Sequence, residues 1–406
     1  MRRGFGRILA FLVAERRTIG QGFVALLLAT VGSLAAGVVL GLITGTLERL
    51  PGLMILVPAA VATRGNIFGA LGSRLGTSIH TGLFETGRAR EGVLYQNVFA
   101  ATVLTLAVSL AVAVLAKAFA QAFGLPSISV TDFVVISLVG GILASVFVGA
   151  FAVALALRAY RRGWDLDSVA APLITAAGDM FTIPALYVAS FLAGIRWVSA
   201  GLAGALAVVA VVLLAWGLTT HLATARRVVR ESIPVLVLAG TVDILAGLVV
   251  QARLGEFLAL PALLMLIPPI LGNAGGLGGM LSARLTSKLH LGVLTPRGRP
   301  ESVALLDAAV VMLIALLVFP LMGVAAEALA LILDLQSPGL PRMVGAAVTA
   351  GLMATALALL VAYYSAVATY RLGLDPDNHG IPMITSSMDF AGVLSLVFAL
   401  GAVGIA

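Results

Sequence analysis

Apolar runs of about twenty residues, broken by short polar connections, recur along the whole chain. Each is long enough to cross a hydrocarbon layer of about 30 Å at about 1.5 Å per residue. The pattern predicts membrane-spanning helices at about 21–46, 52–75, 92–122, 132–158 and 170–195, and a matching set displaced by 210 residues. A further apolar run, WVSAGLAGALAVVAVVLLAWGLTT at 197–220, has no counterpart. The expected fold is therefore an all-α polytopic membrane protein of 11 transmembrane helices, with no room for a sizeable soluble domain.

An internal repeat organises these elements. VPAAVATRGNIFGALGSRLGTSIHTG (57–82) superposes without a gap on IPPILGNAGGLGGMLSARLTSKLHLG (267–292), pairing Pro58 with Pro268, Gly65 with Gly275, Arg74 with Arg284 and His80 with His290. The same offset carries WDLDSVAAPLITAAGD onto LDPDNHGIPMITSSMD and pairs Thr175 with Thr385 and Asp179 with Asp389. Two separate blocks with one offset imply a duplicated unit. The chain divides into a basic lead-in at 1–20, one repeat at 21–195, a linking helix and connector at 196–230, and a second repeat at 231–406. Five helices alone would invert the second repeat. The linking helix restores its orientation, so two parallel five-helix repeats are related by a pseudo-twofold along the membrane normal.

Charge assigns the sides. With the N-terminus cytoplasmic, the cytoplasmic segments hold 19 of the 25 Lys and Arg, and only Arg64 falls within a span. By the positive-inside rule the C-terminus is external and the chain is a multi-pass protein of the cell membrane. MRRGFGRILAFLVAERR has basic flanks but no small-residue cleavage site, so it reads as a retained amphipathic lead-in. The composition, 61% apolar and 11% charged, suits a lipid bilayer as partner. The net charge of +7 is scattered through short connections, which excludes a nucleic-acid surface. Without cysteine there is neither a thiolate metal site nor a cysteine nucleophile.

The candidate chemistry is oxygen chemistry. Asp179 lies about 15 Å inside its helix, where a carboxylate costs at least about 2.5 kcal/mol and nearly always faces a polar cavity, an ion or a partner. The pseudo-twofold would bring Asp179 and Asp389 face to face, where two carboxylates repel each other unless a cation lies between them. Thr175 and Thr385, one turn earlier, add hydroxyl oxygens on the same face. Asn66 and Asn273 lie in the Pro-led, Gly-rich segments, where Pro and Gly are expected to unwind the helix and free carbonyl oxygens. Such a set points to Mg²⁺ or another hard divalent ion that keeps several waters. The plainer alternatives are protonation of the carboxyls, pairing with Arg64, and glycines that serve helix packing alone.

Positions that break the repeat are candidates for coupling or for the pathway. Asp243 stands opposite Ser33, and Asp307 stands opposite Asn97 near the cytoplasmic end. His80 and His290 read as interfacial polar residues. Asp165, Asp167, Asp375 and Asp377 read as helix caps.

The two ordered blocks resemble the MgtE and solute-carrier family 41 divalent-cation transporters, in their fused double-repeat form. VPAAVATRGNIFGALGSRLGTSIHTG is similar to the family's Pro-led span containing Gly-Asn, and the DPDN…P.IT…D segment to its last core helix. The resemblance implies that Asp179 and Asp389 lie in the ion path and that Asn66 is the Gly-Asn asparagine. In the second repeat the aligned position is Gly276, with Asn273 three residues earlier. MgtE builds its pore from two single-unit chains and carries soluble N and CBS domains, for which this chain has no counterpart. The chain is accordingly expected to be a transporter of Mg²⁺, with Co²⁺, Mn²⁺ and Zn²⁺ as further cargo, and not an enzyme. No cofactor is expected. A monomer suffices for the pathway, and a homo-oligomer is compatible with it. Channel and Na⁺- or H⁺-coupled exchanger both stay open. The rival class is an intramembrane aspartyl protease, but its element would read AAGD at one site and SSMD at the other, with no Tyr before either Asp.

Overall fold

A computed structural model describes residues 16–80, 82, 84, 91–162, 170–373 and 380–405. Eleven long helices within them are apolar enough to cross a membrane. In chain order these are α1 (Arg16–Leu42), α2 (Leu53–His80), α3 (Val93–Ala122), α4 (Val130–Arg162), α5 (Ala170–Ser190), α6 (Arg196–Thr219), α7 (Ala223–Ala252), α8 (Ile267–His290), α9 (Ser302–Ile332), α10 (Leu340–Leu372) and α11 (Ile381–Ala402). Short turns at Thr44–Arg49 and Leu254–Ala259, and a 3₁₀ segment at Pro261–Leu266, lead into α2 and α8. The basic lead-in before Arg16 and the four Asp residues read as caps lie outside the described residues.

The Pro- and Gly-rich segments do not unwind as expected. α2 and α8 run as continuous helices past Asn66 and Asn273, and they end at His80 and His290 rather than at about 75 and 285. Position explains the difference. Pro268 and Pro269 occupy the first turn of α8, where the missing N–H has no partner to lose, whereas Pro58 lies inside α2 and forgoes one backbone hydrogen bond without ending the helix. The glycines supply close packing instead: Gly65 faces Thr175, and Gly275 faces Thr385.

The repeats interlock crosswise. A methyl group on Gly37 of α1 would collide with the backbone carbonyl of Met265, and one on Gly247 of α7 with that of Ile55. These contacts are related by the 210-residue offset and are reciprocal, as a twofold relation requires. Each repeat's first helix thus crosses the approach to the other's second helix at backbone distance, which only glycine permits. The segments so crossed, Met54–Leu56 and Leu264–Leu266, are fully buried. By contrast α6 packs along its flank, against α3, α4 and α7. It leaves Trp197, Val208, Val211, Val212 and Trp216 exposed. Its two tryptophans lie about 28 Å apart along the axis, the spacing of aromatic belts at two interfaces.

One internal exchange separates the repeats. Arg64 is buried, and its Nη2 donates to Ser109 Oγ at 2.6 Å, in space left by Gly141. At the equivalent positions stand Ala274, Phe319 and Gly351, and the Phe319 ring fills the space over Gly351. A long cation with a small hydroxyl is therefore exchanged for a small residue with a large ring, at similar total volume. Arg64→Ala alone should cost about 2 kcal/mol or more, because it leaves a cavity. Arg64→Ala combined with Ser109→Phe, which copies the second repeat, is expected to recover at least half of the loss. Thermal unfolding of both variants in detergent checks this, and a double variant no more stable than the single one would contradict the volume argument.

Candidate functional site

The interlocked helices bring α1, α5 and α8 together on one side of the repeat boundary and α2, α7 and α11 on the other. Asp179 lies about 14 Å into α5 and Asp389 about 12 Å into α11. Both are buried, at 5% and 7% exposure. Ser33 of α1 donates a short hydrogen bond to Asp179 Oδ2. Glycine at position 272 of α8 leaves the room that this carboxylate occupies: a Cβ there would lie 3.2 Å from Oδ2.

In the second repeat the position equivalent to Ser33 is Asp243, which is fully buried in α7. Its carboxyl is in hydrogen-bonding contact with that of Asp389, and Ser386 donates to its Oδ2 at 3.1 Å. Each repeat therefore sets a polar group of its first helix against the aspartate of its last. One repeat uses a hydroxyl there, the other a second carboxyl. Asp179 and Asp389 were expected to face one another. Instead Asp389 meets Asp243, while the charge of Asp179 reaches it from farther away. Helix rotation is the reason: both aspartates turn toward the first helix of their own repeat.

The neutral oxygens join the two repeats. Asn66 Oδ1 accepts from Thr385 Oγ1 at 3.0 Å, and Asn273 Oδ1 accepts from Thr30 Oγ1 at 3.0 Å. Each bond runs from one repeat to the other. Thr175 packs its methyl against Gly65 in the first repeat. Beside Asn66, a narrow cleft lined by Ile67, Ala70, Arg74, Ser232 and Pro382 runs toward the basic end of α2. No basic side chain among the described residues engages Asp179, Asp243 or Asp389. Arg64, the candidate counter-charge, points instead to Ser109 and the Ala60 carbonyl. No three Asp, Glu, His or Cys side chains among the described residues form a cage for a metal. An ion at this seam would therefore have few charged ligands and would lean on neutral oxygens and its own water, the habit of Mg²⁺.

Two candidates leave the pathway. Asp307 is buried, but it accepts from Arg284 Nε and Nη2 at 3.0 and 2.7 Å and from Lys288 Nζ at 2.6 Å. Asn97 Oδ1 accepts from Arg74 Nε at 2.8 Å at the equivalent place. Both tie the basic end of a second helix to the third, and neither reaches the seam. His290 is exposed, and its Nδ1 lies 2.8 Å from the Thr286 carbonyl. Sequence reasoning passed over Ser386 and Thr30. Both were visible as polar residues inside apolar spans, but neither is matched in the other repeat, where Ala176 and Gly240 stand.

Comparison with known proteins bears on this arrangement. A profile described as "MgtE: Divalent cation transporter" matches residues 57–189 and again 267–399. Solute carrier family 41 member 3 of Rattus norvegicus is 24% identical over 94% of this chain and 87% of its own length. Solute carrier family 41 member 2 of Xenopus laevis is 26% identical over 93% of this chain and 71% of its own. The human member 2 is 26% identical over 67% of this chain and 48% of its own. No solved structure matches the chain. Both profile matches contain the second helix and the aspartate of their repeat, and they cover well over half of the residues, so the chain belongs to the MgtE family of divalent cation transporters.

Proposed function

We propose that the chain carries Mg²⁺ across the cell membrane along the seam between its repeats, past Asp179 and Asp389. The observation that carries this reading is a buried carboxylate from each repeat, in the middle of an apolar bundle, with hydroxyl and carboxyl neighbours and no basic partner among the described residues. In so apolar a medium, unpaired carboxylates are sustained by a bound cation or by protons. Two carboxylates match the charge of one divalent ion. Asn66, Asn273, Thr175 and Thr385 are the neutral oxygens along the same seam, and hard oxygen without a thiolate favours Mg²⁺ over softer metals while admitting Mn²⁺ and Co²⁺. Membership of a family of divalent cation transporters, with solute-carrier relatives, supports transport over proteolysis. Asp243, the carboxyl that the first repeat lacks, is the group assigned to ion coupling.

Asp179→Asn and Asp389→Asn are each expected to reduce Mg²⁺ uptake into proteoliposomes at least about tenfold, the effect of roughly 1.4 kcal/mol, while inserting normally. Undiminished uptake in the double variant would contradict the site.

Asp243→Ser, which copies Ser33, should remove any dependence of Mg²⁺ flux on an imposed Na⁺ or H⁺ gradient and preserve flux down the Mg²⁺ gradient. Flux measured under each gradient at clamped potential decides this, and unchanged gradient dependence takes Asp243 out of coupling.

With a cytoplasmic N-terminus and an external C-terminus, tags at the two ends should differ in accessibility in intact cells. Equal accessibility would contradict the odd number of crossings and the parallel repeats.

A further inference from the structure

At the end of the bundle remote from Arg74 and Arg284, the repeats carry opposite charges at one equivalent place. In the first, Lys117 of α3 extends its ammonium into the connection to α4, where Nζ donates to Ser127 Oγ at 2.9 Å, the Ile128 carbonyl at 2.9 Å and the Ser127 carbonyl at 3.5 Å. The equivalent residue in α9 is Glu327, buried at 3% exposure, and its Oε1 accepts from Ser337 Oγ at 2.8 Å. Ser337 is the counterpart of Ser127.

The two connections start on the same path and part at their ends, where Gly339 takes a positive φ of 88° and its counterpart Ser129 does not. Gly124 and Asp334 both adopt left-handed φ, at 66° and 54°. Leu125 N–H donates to the Ala120 carbonyl, and Leu335 N–H to the Ala330 carbonyl, both at 2.9 Å. The serine hydroxyl that meets an ammonium in one repeat is therefore matched by one that meets a carboxylate in the other. Glu327 Oε2 is itself buried and has no hydrogen-bond donor among the described residues. A buried carboxylate oxygen without a donor is costly unless a cation or a proton neutralises it.

We propose that a monovalent alkali-metal cation binds beside Glu327 and takes the role that the Lys117 ammonium fills in the first repeat. Glu327 Oε2 supplies its one full charge, and Ser337 Oγ, already against Oε1, supplies a neutral oxygen. One carboxylate balances one positive charge, as the single ammonium does opposite. Hard oxygen donors suit Na⁺ or K⁺. The site stands apart from Asp179, Asp243 and Asp389, so it holds or fails independently of the transport reading.

The test is thermal unfolding of the purified full chain in Mg²⁺-free detergent, in NaCl, KCl and choline chloride at equal ionic strength. The wild-type midpoint should rise saturably by about 1–3 °C in NaCl or KCl over choline chloride, and the stronger of the two salts identifies the ion. Glu327→Gln should lose this difference. Glu327→Lys, which copies the first repeat, should be stable in choline chloride and indifferent to either alkali salt. A wild type with no alkali-specific shift would overturn the proposal, as would a Glu327→Gln variant that retains it. If Glu327→Gln does not fold, a Glu327→Lys protein with the wild-type alkali response overturns it equally.

Discussion

A carboxylate in the middle of an apolar bundle must be stabilised locally, and three such groups, Asp179, Asp243 and Asp389, stand along one seam. On insertion scales each costs at least about 2.5 kcal/mol at such a depth. Their polar partners come from within each repeat, Ser33 for Asp179 and Ser386 for Asp243, while Gly272 of the other repeat leaves room for Asp179. The crosswise contacts of Gly37 with Met265 and of Gly247 with Ile55 bring the second helices against the partner repeat's first. That crossing lets Asn66 meet Thr385 and Asn273 meet Thr30, so the amide oxygens lie where the two halves join. Backbone closeness, amide placement and carboxylate burial are consequences of one interlock.

Duplication gives a near-symmetric scaffold, and the departures from symmetry are chemically specific. Ser33 against Asp243 makes one half of the seam more acidic. Arg64 with Ser109 against Ala274 with Phe319 exchanges a charge for a ring without disturbing the glycine beneath. Asn97 against Asp307 changes a neutral contact with Arg74 into an ion pair with Arg284 and Lys288. A symmetric dimer of single units cannot vary its halves separately. A fused chain can, and here the variation falls on buried polar groups, where each change has the largest electrostatic effect.

Much of this was legible in the amino-acid sequence, because apolar length and a repeat offset are one-dimensional signals. The number of crossings, the class of fold and the depth of the two aspartates within their helices all followed from them. Helix rotation is not one-dimensional, and the misses trace to it. Asp389 faces Asp243 rather than Asp179, and Asp307 is turned to Arg284 and Lys288. The expectation of unwound segments failed for a different reason. Proline breaks a helix by removing a donor and crowding the preceding turn, but Pro268 and Pro269 sit in a first turn, where no donor is needed. The glycines beyond them answer to neighbouring helices, a tertiary demand that local reasoning cannot separate from flexibility.

The central claim is that a divalent cation is held at the seam between the repeats by one aspartate from each. Anomalous diffraction from crystals of the full chain soaked in Mn²⁺ tests it most directly, since Mn²⁺ has the ligand preferences of Mg²⁺ and a usable absorption edge. The account predicts a peak in direct or water-bridged reach of both Asp179 and Asp389, weakened when excess Mg²⁺ competes. Manganese peaks confined to the surface, with none between α5 and α11, would contradict it.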